Sequence, residues 1–301
     1  MKHASQRIAQ RMLALGMLLG ACSPAATPDP GMAAAAGLDA AVNRFLSGMQ
    51  DYNVLRMDPF VEMLAQDPAP FLLDVRELSE VETNGHIPGA VVIPLRELGD
   101  YLDMLPAFDQ PIVAYCGSGW RCSIAMTALG MLGWQRALSL QDDSFGGYRE
   151  GGNEVAAGLP VAGVPLDAAH PAPALVLAVD TMLKGLPQGW GAITVEELAA
   201  DLGERPDLVL IDIRTQAEID RSGSIGAENA LAIPIEELAA RRAEWPAESE
   251  ASIVAYSGSG HRSTIAMTIL RTYGYTNARS LKGGLGAWVE AGYPVAQVPT
   301  P

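Results

Sequence analysis

Val113 to Leu129 reads VAYCGSGWRCSIAMTAL, and Val254 to Leu270 reads VAYSGSGHRSTIAMTIL. Each line is a short apolar run, a Gly-Ser-Gly turn with an arginine, and then apolar residues at helical spacing. A strand passing through a glycine-rich loop directly into a helix is the repeating unit of an α/β sheet with parallel strands. The two lines differ where chemistry needs a thiol, since Cys116 in the first is Ser257 in the second.

The likeness extends outward. Phe71-Leu-Leu-Asp-Val-Arg76 is echoed by Val209-Leu-Ile-Asp-Ile-Arg214, and Val91-Val-Ile-Pro94 by Leu231-Ala-Ile-Pro234. Ahead of both, Ala41-Val-Asn-Arg-Phe-Leu-Ser-Gly48 corresponds to Ala178-Val-Asp-Thr-Met-Leu-Lys-Gly185. An offset of about 140 residues is a whole domain and too long for a solenoid unit. The chain is a tandem duplication, with one domain expected over 39–165, a Pro/Ala-rich linker over 166–173 and a second domain over 174–299.

The first residues are kept out of the fold. Lys2, Arg7 and Arg11 precede an apolar run from Met12 to Ala21, too short to span a bilayer as a helix. Residues 1–21 read as a signal peptide, and Leu19-Gly-Ala-Cys22 resembles a bacterial lipobox, in which the cysteine is acylated. The plainer alternative is an ordinary cleavage site with an incidental cysteine. Residues 22–38, rich in Ala and Pro, are expected to be a flexible tether. The expected location is the bacterial cell envelope, on the periplasmic face of the outer membrane, held there by lipid alone.

Without residues 1–21 the chain carries 17 basic against 35 acidic side chains, a formal charge of −18. That balance argues against nucleic acid and direct binding to anionic lipid as partners. It does not exclude a small anion, because distant surface charges are screened over about 8 to 10 Å. Besides Cys22, only Cys116 and Cys122 are thiols, too few for a disulfide framework.

Within each copy, β-branched apolar runs alternate with helical patterns. In the second, Thr194-Val-Glu-Glu197 has capping-box spacing and opens a helix over 195–202. A strand over 208–213, a helix near 235–242, a strand over 253–256 and a helix over 263–273 follow. In the first, Asp58-Pro59 reads as a cap and first-position proline, 112–115 as a strand and 123–132 as a helix.

Between strand and helix lies Cys116-Gly-Ser-Gly-Trp-Arg121. A cysteine there faces a ring of backbone N–H groups and the positive end of a helix dipole, which favour the reactive thiolate. Gly117, Ser118 and Gly119 allow the backbone to curl inward, and Arg121 adds a fixed positive charge. The loop reads as an anion cradle with a nucleophile at its base.

With these residues the chain resembles the rhodanese family of sulfurtransferases over everything after residue 40, twice. Asp74-Val-Arg76, Gly85-His-Ile-Pro-Gly-Ala90, Ile93-Pro94 and the cysteine loop look like the family's successive signatures. Phosphatase relatives place five residues between cysteine and arginine, whereas four intervene here, a loop sized for sulfur rather than phosphate. The resemblance implies two rhodanese-like α/β domains, each a mainly parallel sheet with helices on both faces. It also implies a sulfurtransferase in which Cys116 takes sulfur from a small anionic donor, releases sulfite when that donor is thiosulfate, and yields the sulfur to a thiol acceptor, a protein among the options. Arg121 would orient the donor, with Gly117, Ser118, Gly119 and Trp120 binding it. Cys116-Gly-Ser-Gly119 also looks like the loop start of mercaptopyruvate-using members, but Trp120 and Arg121 depart from that pattern; the donor stays open, with thiosulfate or a persulfide ahead of mercaptopyruvate.

Each residue has a plainer reading. Cys122 is either a resolving thiol or, as Ser263 in the second copy suggests, a small residue at a helix start. Trp120 either shapes the mouth or contacts a partner, or simply packs on the rim. Asp74 and Arg76 read as a structural ion pair and His86 as a turn residue, with Ser224 in its place in the second copy. A serine cannot carry a persulfide, so the second domain is expected to be inactive and to frame the mouth of the first; His261 has nothing to orient it as a base for Ser257. The rival function is a lipid-anchored scaffold whose silent domains recognise an anion or a protein. No cofactor or metal is expected, since His86, His170 and His261 match no ligand spacing.

Overall fold

The computed structural model describes residues 30–161 and 163–296. The signal peptide, Cys22, residues 22–29 of the tether and the end of the second domain lie outside the described residues. Helix α1 (Pro30–Gly48) leads into β1 (Val54–Leu55), α2 (Met57–Leu64), β2 (Phe71–Asp74), α3 (Leu78–Asn84) and β3 (Val91–Val92). After a 3-10 stretch over Leu95–Met104 come β4 (Ile112–Tyr115), α4 (Trp120–Leu132), β5 (Ala137–Leu140) and α5 (Phe145–Glu150). The second copy repeats this as α6 (Pro173–Lys184), β6 (Ala192–Ile193), α7 (Val195–Glu204), β7 (Val209–Asp212), α8 (Gln216–Ser222), β8 (Asn229–Ala232), β9 (Ile253–Tyr256), α9 (His261–Thr272), β10 (Ala278–Leu281) and α10 (Gly284–Glu290).

Two parallel five-stranded sheets result, ordered β1-β5-β4-β2-β3 and β6-β10-β9-β7-β8. Alternation along the central strands decides what each face buries. Leu72, Val113 and Tyr115 meet Phe60 of α2 and Phe145 and Tyr148 of α5. Leu73, Ile112 and Ala114 point the other way, into a core shared with the second sheet's Ile211, Ile253 and Ala255. Helices α1, α4, α6 and α9 fill the layer between the sheets, contributing Phe45, Ala125, Val179 and Ala266 among others. One apolar core thus joins both copies.

Four expectations are corrected. The tether expected over 22–38 is helical from Pro30, because Ala33–Ala36 are strong helix formers and the same helix buries Leu38, Val42 and Phe45. Asp58 is not the cap of α2: the helix starts at Met57, whose N–H donates to Asp142 Oδ2 at 3.0 Å, a partner 85 residues away. Residues 235–242 form two short 3-10 turns, Ile235–Glu237 and Arg242–Glu244, rather than a helix; Ile235 is buried under α1. Helices α4 and α9 begin at Trp120 and His261, earlier than expected, because Gly119 and Gly260 adopt φ of 97° and 100° and turn the chain straight into the first helical residue. Arg121 and Cys122 therefore belong to a helix's first turn. The Thr194–Glu197 capping box is present as read.

Candidate active site at the Cys116 loop

Cys116 follows the last residue of β4, at the edge where parallel strands deliver their loops. The loop is clamped from behind by the start of α5: the Cys116 N–H donates to Ser144 Oγ at 3.0 Å, and the Phe145 N–H to the Cys116 carbonyl at 3.0 Å. Gly119, held at positive φ, turns its N–H onto Cys116 Sγ at 3.2 Å. A side chain at Gly119 would also run into Gln141.

Cys116 Sγ lies 3.6 Å from Cys122 Sγ, and both thiols are free. Burial alone would push the Cys116 thiol up; hydrogen bonds from Cys122 and the loop backbone, with the Arg121 charge, outweigh it and bring the pKa to about 6. Cys122 moves the opposite way, raised by burial and by the charge that forms on Cys116. Its sulfur sits against the Gly119 and Leu140 carbonyls at 3.1 and 3.2 Å, acceptors that keep the proton on it. Of the pair, Cys116 ionises first.

Arg121 is not a free cation. Its Nη1 and Nη2 donate to the Glu80 carboxylate at 2.5 and 2.7 Å, and Glu80 also receives the Glu77 N–H at the start of α3. The Arg121 hydrogen bond is the main reason the Glu80 carboxyl lies below the usual range. The pair braces the loop against α3 and leaves little net charge.

Above the sulfur opens a cavity of about 420 Å³, lined by Glu77, Glu80, Cys116, Ser118, Trp120 and Arg121 from the first copy. Gly189, Trp190, Ala192 and Lys282 of the second copy form its other wall. Trp120 lines the cavity, and its Nε1 donates to the Trp190 carbonyl at 3.2 Å. Sequence reasoning missed Glu80, Ser144, Trp190 and Lys282. Trp190 precedes β6 as Tyr52 precedes β1, a correspondence visible in the repeat; an exposed lysine such as Lys282 carries no such signal.

Around Ser257 the geometry is matched without the thiol. The Gly260 N–H donates to Ser257 Oγ at 3.1 Å, Ser263 Oγ is 3.4 Å away, and Arg262 pairs with Glu218, holding that carboxyl at about 2. His261 is turned from Ser257: its Nε2 donates to the Tyr52 carbonyl at 2.9 Å and its Nδ1 lies 2.9 Å from Ser123 Oγ. Asp74 and Arg76 are fully buried and form a bidentate pair, with Arg76 Nη2 also reaching the Gly85 carbonyl at 2.8 Å. His86 is buried in a turn that bridges to Ala156, and Ser224 bridges to Ala296 in the same way. None of Asp74, Arg76 and His86 lines the cavity. Among the described residues no cluster of His, Cys, Asp and Glu is arranged to hold a metal.

Tandem α/β domains with an ionisable cysteine at a strand end define the class of protein. The model of the rhodanese-like domain matches residues 57–150 and 194–291, and the chain belongs to that family, in two copies. It is 37% identical over 103 residues to a sulfurtransferase of Allochromatium vinosum, covering 34% of this chain and 92% of that protein. An HTH-type transcriptional regulator of Mycobacterium tuberculosis is 40% identical over 91 residues, covering 30% of this chain and 39% of the regulator. The crystal structure of thiosulfate sulfurtransferase from Pseudomonas aeruginosa is similar at 24% identity and a TM-score of 0.34, covering 82% of this chain and 44% of that one.

Proposed function

We propose that the chain is a sulfurtransferase in which Cys116 carries a sulfane sulfur between a small anionic donor and a thiol acceptor. The observation that carries this is the Cys116 sulfur itself, which accepts the Gly119 N–H at 3.2 Å and lines a cavity whose other wall comes from the second domain. The Cys116 thiolate attacks the outer sulfur of thiosulfate or a persulfide; the sulfur–sulfur bond of the donor breaks, and sulfite or a thiolate leaves with the electron pair. The negative persulfide is held where the Gly119 N–H and the start of α4 point. An acceptor thiolate then attacks the outer sulfur and returns Cys116 as thiolate. Lys282, and Arg121 held by Glu80, would face the donor's charge, with Trp120 and Trp190 lining the cavity beside it.

The copy with Ser257 carries no sulfur, and its contribution is the far wall. Export belongs to the same proposal: Lys2, Arg7, the Met12–Ala21 run and Cys22 support a lipid anchor in the cell envelope, checked by labelled palmitate entering the wild type and not Cys22→Ser. Catalysis is tested by incubating protein lacking residues 1–29 with thiosulfate, removing the excess and measuring intact mass. One added sulfur on the wild type and none on Cys116→Ser is expected. No sulfur from thiosulfate, a small-molecule persulfide or polysulfide on folded, reduced protein would leave the scaffold reading in its place.

A further inference from the structure

The site around Cys122 is built for a hydroxyl. Its sulfur meets the Gly119 and Leu140 carbonyls, and Ser139 Oγ donates to it at 3.3 Å. In the second copy Ser263 fills the same place, donating to the Gly260 carbonyl at 3.0 Å and accepting from Ser280 Oγ at 2.8 Å. A serine makes those bonds better than a thiol, which is a weak donor and acceptor. The weaker group stands only in the copy whose strand-end residue is also sulfur: the pair is Cys116 with Cys122 on one side and Ser257 with Ser263 on the other. Packing alone gives no reason for that.

The relative placement of the two sulfurs adds direction. Cys116 lines the cavity, whereas Cys122 is fully buried and does not reach it. In-line displacement at the Cys116 sulfur needs the attacking thiol and the departing sulfur on opposite sides, an arrangement that a buried Cys122 and an outer sulfur turned into the cavity would satisfy. The sulfurs are 3.6 Å apart, and a disulfide needs them to close by about 1.5 Å.

Resting on the proposed Cys116 persulfide, we infer that Cys122 discharges it, releasing hydrogen sulfide and leaving a Cys116–Cys122 disulfide. Cys122 sulfur bonds to Cys116 sulfur, the bond from Cys116 to the outer sulfur breaks, and the departing sulfide takes the electron pair together with the Cys122 proton. The persulfide and thiol become one disulfide and one hydrogen sulfide, with no outside oxidant. A dithiol reductant resets the site by attacking the more accessible Cys116 sulfur, freeing Cys122, and closing to its own disulfide. Because Cys122 rests as a protonated thiol against two carbonyls, discharge is slower than transfer to an arriving acceptor thiolate. The protein is then a sulfurtransferase when an acceptor is present and a sulfide-releasing enzyme when none is.

The test loads Cys116 with inorganic polysulfide under anaerobic conditions, removes the excess, and follows intact mass and free sulfide without added thiol. The wild type is expected to pass from one sulfur heavier than the reduced chain to two hydrogens lighter, releasing one sulfide per chain. Cys122→Ser, which installs the side chain the second copy uses, is expected to hold its sulfur at least about tenfold longer. Equal persistence in the two proteins, or sulfide lost without the disulfide, overturns the inference and leaves the sulfur carrier intact. A Cys116 that takes no sulfur from polysulfide overturns the inference and the proposed function together.

Discussion

The ionisation of Cys116 gives the sharpest test, and its magnitude decides which observable to use. A free cysteine titrates near 8.5, so at pH 7 only about 3% is thiolate, whereas a group with a pKa of about 6 is roughly 90% thiolate, about a thirtyfold gain. Intrinsic nucleophilicity falls as the pKa falls, and that returns about tenfold of the gain. The net advantage in rate at pH 7 is a few-fold, and burial of the sulfur reduces it further. The absolute rate is therefore a poor witness, and the midpoint of the pH profile is a good one. Iodoacetamide alkylation from about pH 4.5 to 9.5 brackets both pKa values, and cleavage by trypsin after Arg121 separates Cys116 from Cys122. The expected Cys116 profile has its midpoint near 6, and replacing Cys122 by alanine, which removes a hydrogen bond to the sulfur, moves it up. Stability follows the same linkage. A folded pKa below the unfolded one stabilises the fold fully above about 8.5 and loses that contribution as pH falls through about 6. The stability difference between wild type and Cys116→Ser should grow from pH 6 to 8.5 and be flat below. A profile centred near 8.5 would refute the account of the loop as an ionising cradle.

Two further outcomes separate brace from chemistry. Asp74→Asn leaves the Arg76 guanidinium buried without a countercharge and should cost about 3 to 5 kcal/mol in urea unfolding, while the protein that remains folded still takes one sulfur on Cys116. Unchanged stability, or loss of loading in folded protein, would contradict the structural role. Glu80→Gln removes the carboxylate that neutralises Arg121 and should lower the KM for thiosulfate, a dianion, roughly three- to tenfold with kcat little changed. An unchanged or higher KM would show that Arg121 acts on the loop alone.

What could be read from the sequence was what local spacing controls. A strand end, a glycine at positive φ and a helix start bring Cys116, Arg121 and Cys122 together within seven residues, and the repeat of that pattern gave both sheets. The Thr194 box was legible because cap and partner lie three residues apart. The cap of α2 was not, because its acceptor, Asp142, arrives from the far end of the domain. The same reason hides the second wall of the cavity. Nothing local ties Trp190 or Lys282 to Cys116, and only the helical layer that the two sheets share brings them within reach. Residues 30–38 misled through composition: a stretch rich in Ala and Pro suits a tether in isolation, yet helix α1 continues through it because Leu38, Val42 and Phe45 find a core.

The two copies exchange parts across their shared layer, and that exchange gives the domain with Ser257 a part in the site of the other. Trp120 donates to the carbonyl of Trp190, and His261, its counterpart, donates to the carbonyl of Tyr52, the counterpart of Trp190. Arg121 stands over the Trp190 ring and Arg262 over the Tyr52 ring. Each loop is thus roofed by the other copy's aromatic residue, held by a backbone oxygen that no side-chain substitution removes. Serine in place of the thiol at position 257 changes only the residue that follows β9. It leaves Trp190 and Lys282 where they close the first pocket, since they belong to the rim of the second sheet and not to its loop. Whatever stands at position 257, the fold of the second domain is needed, because the cavity over Cys116 has one wall from each copy.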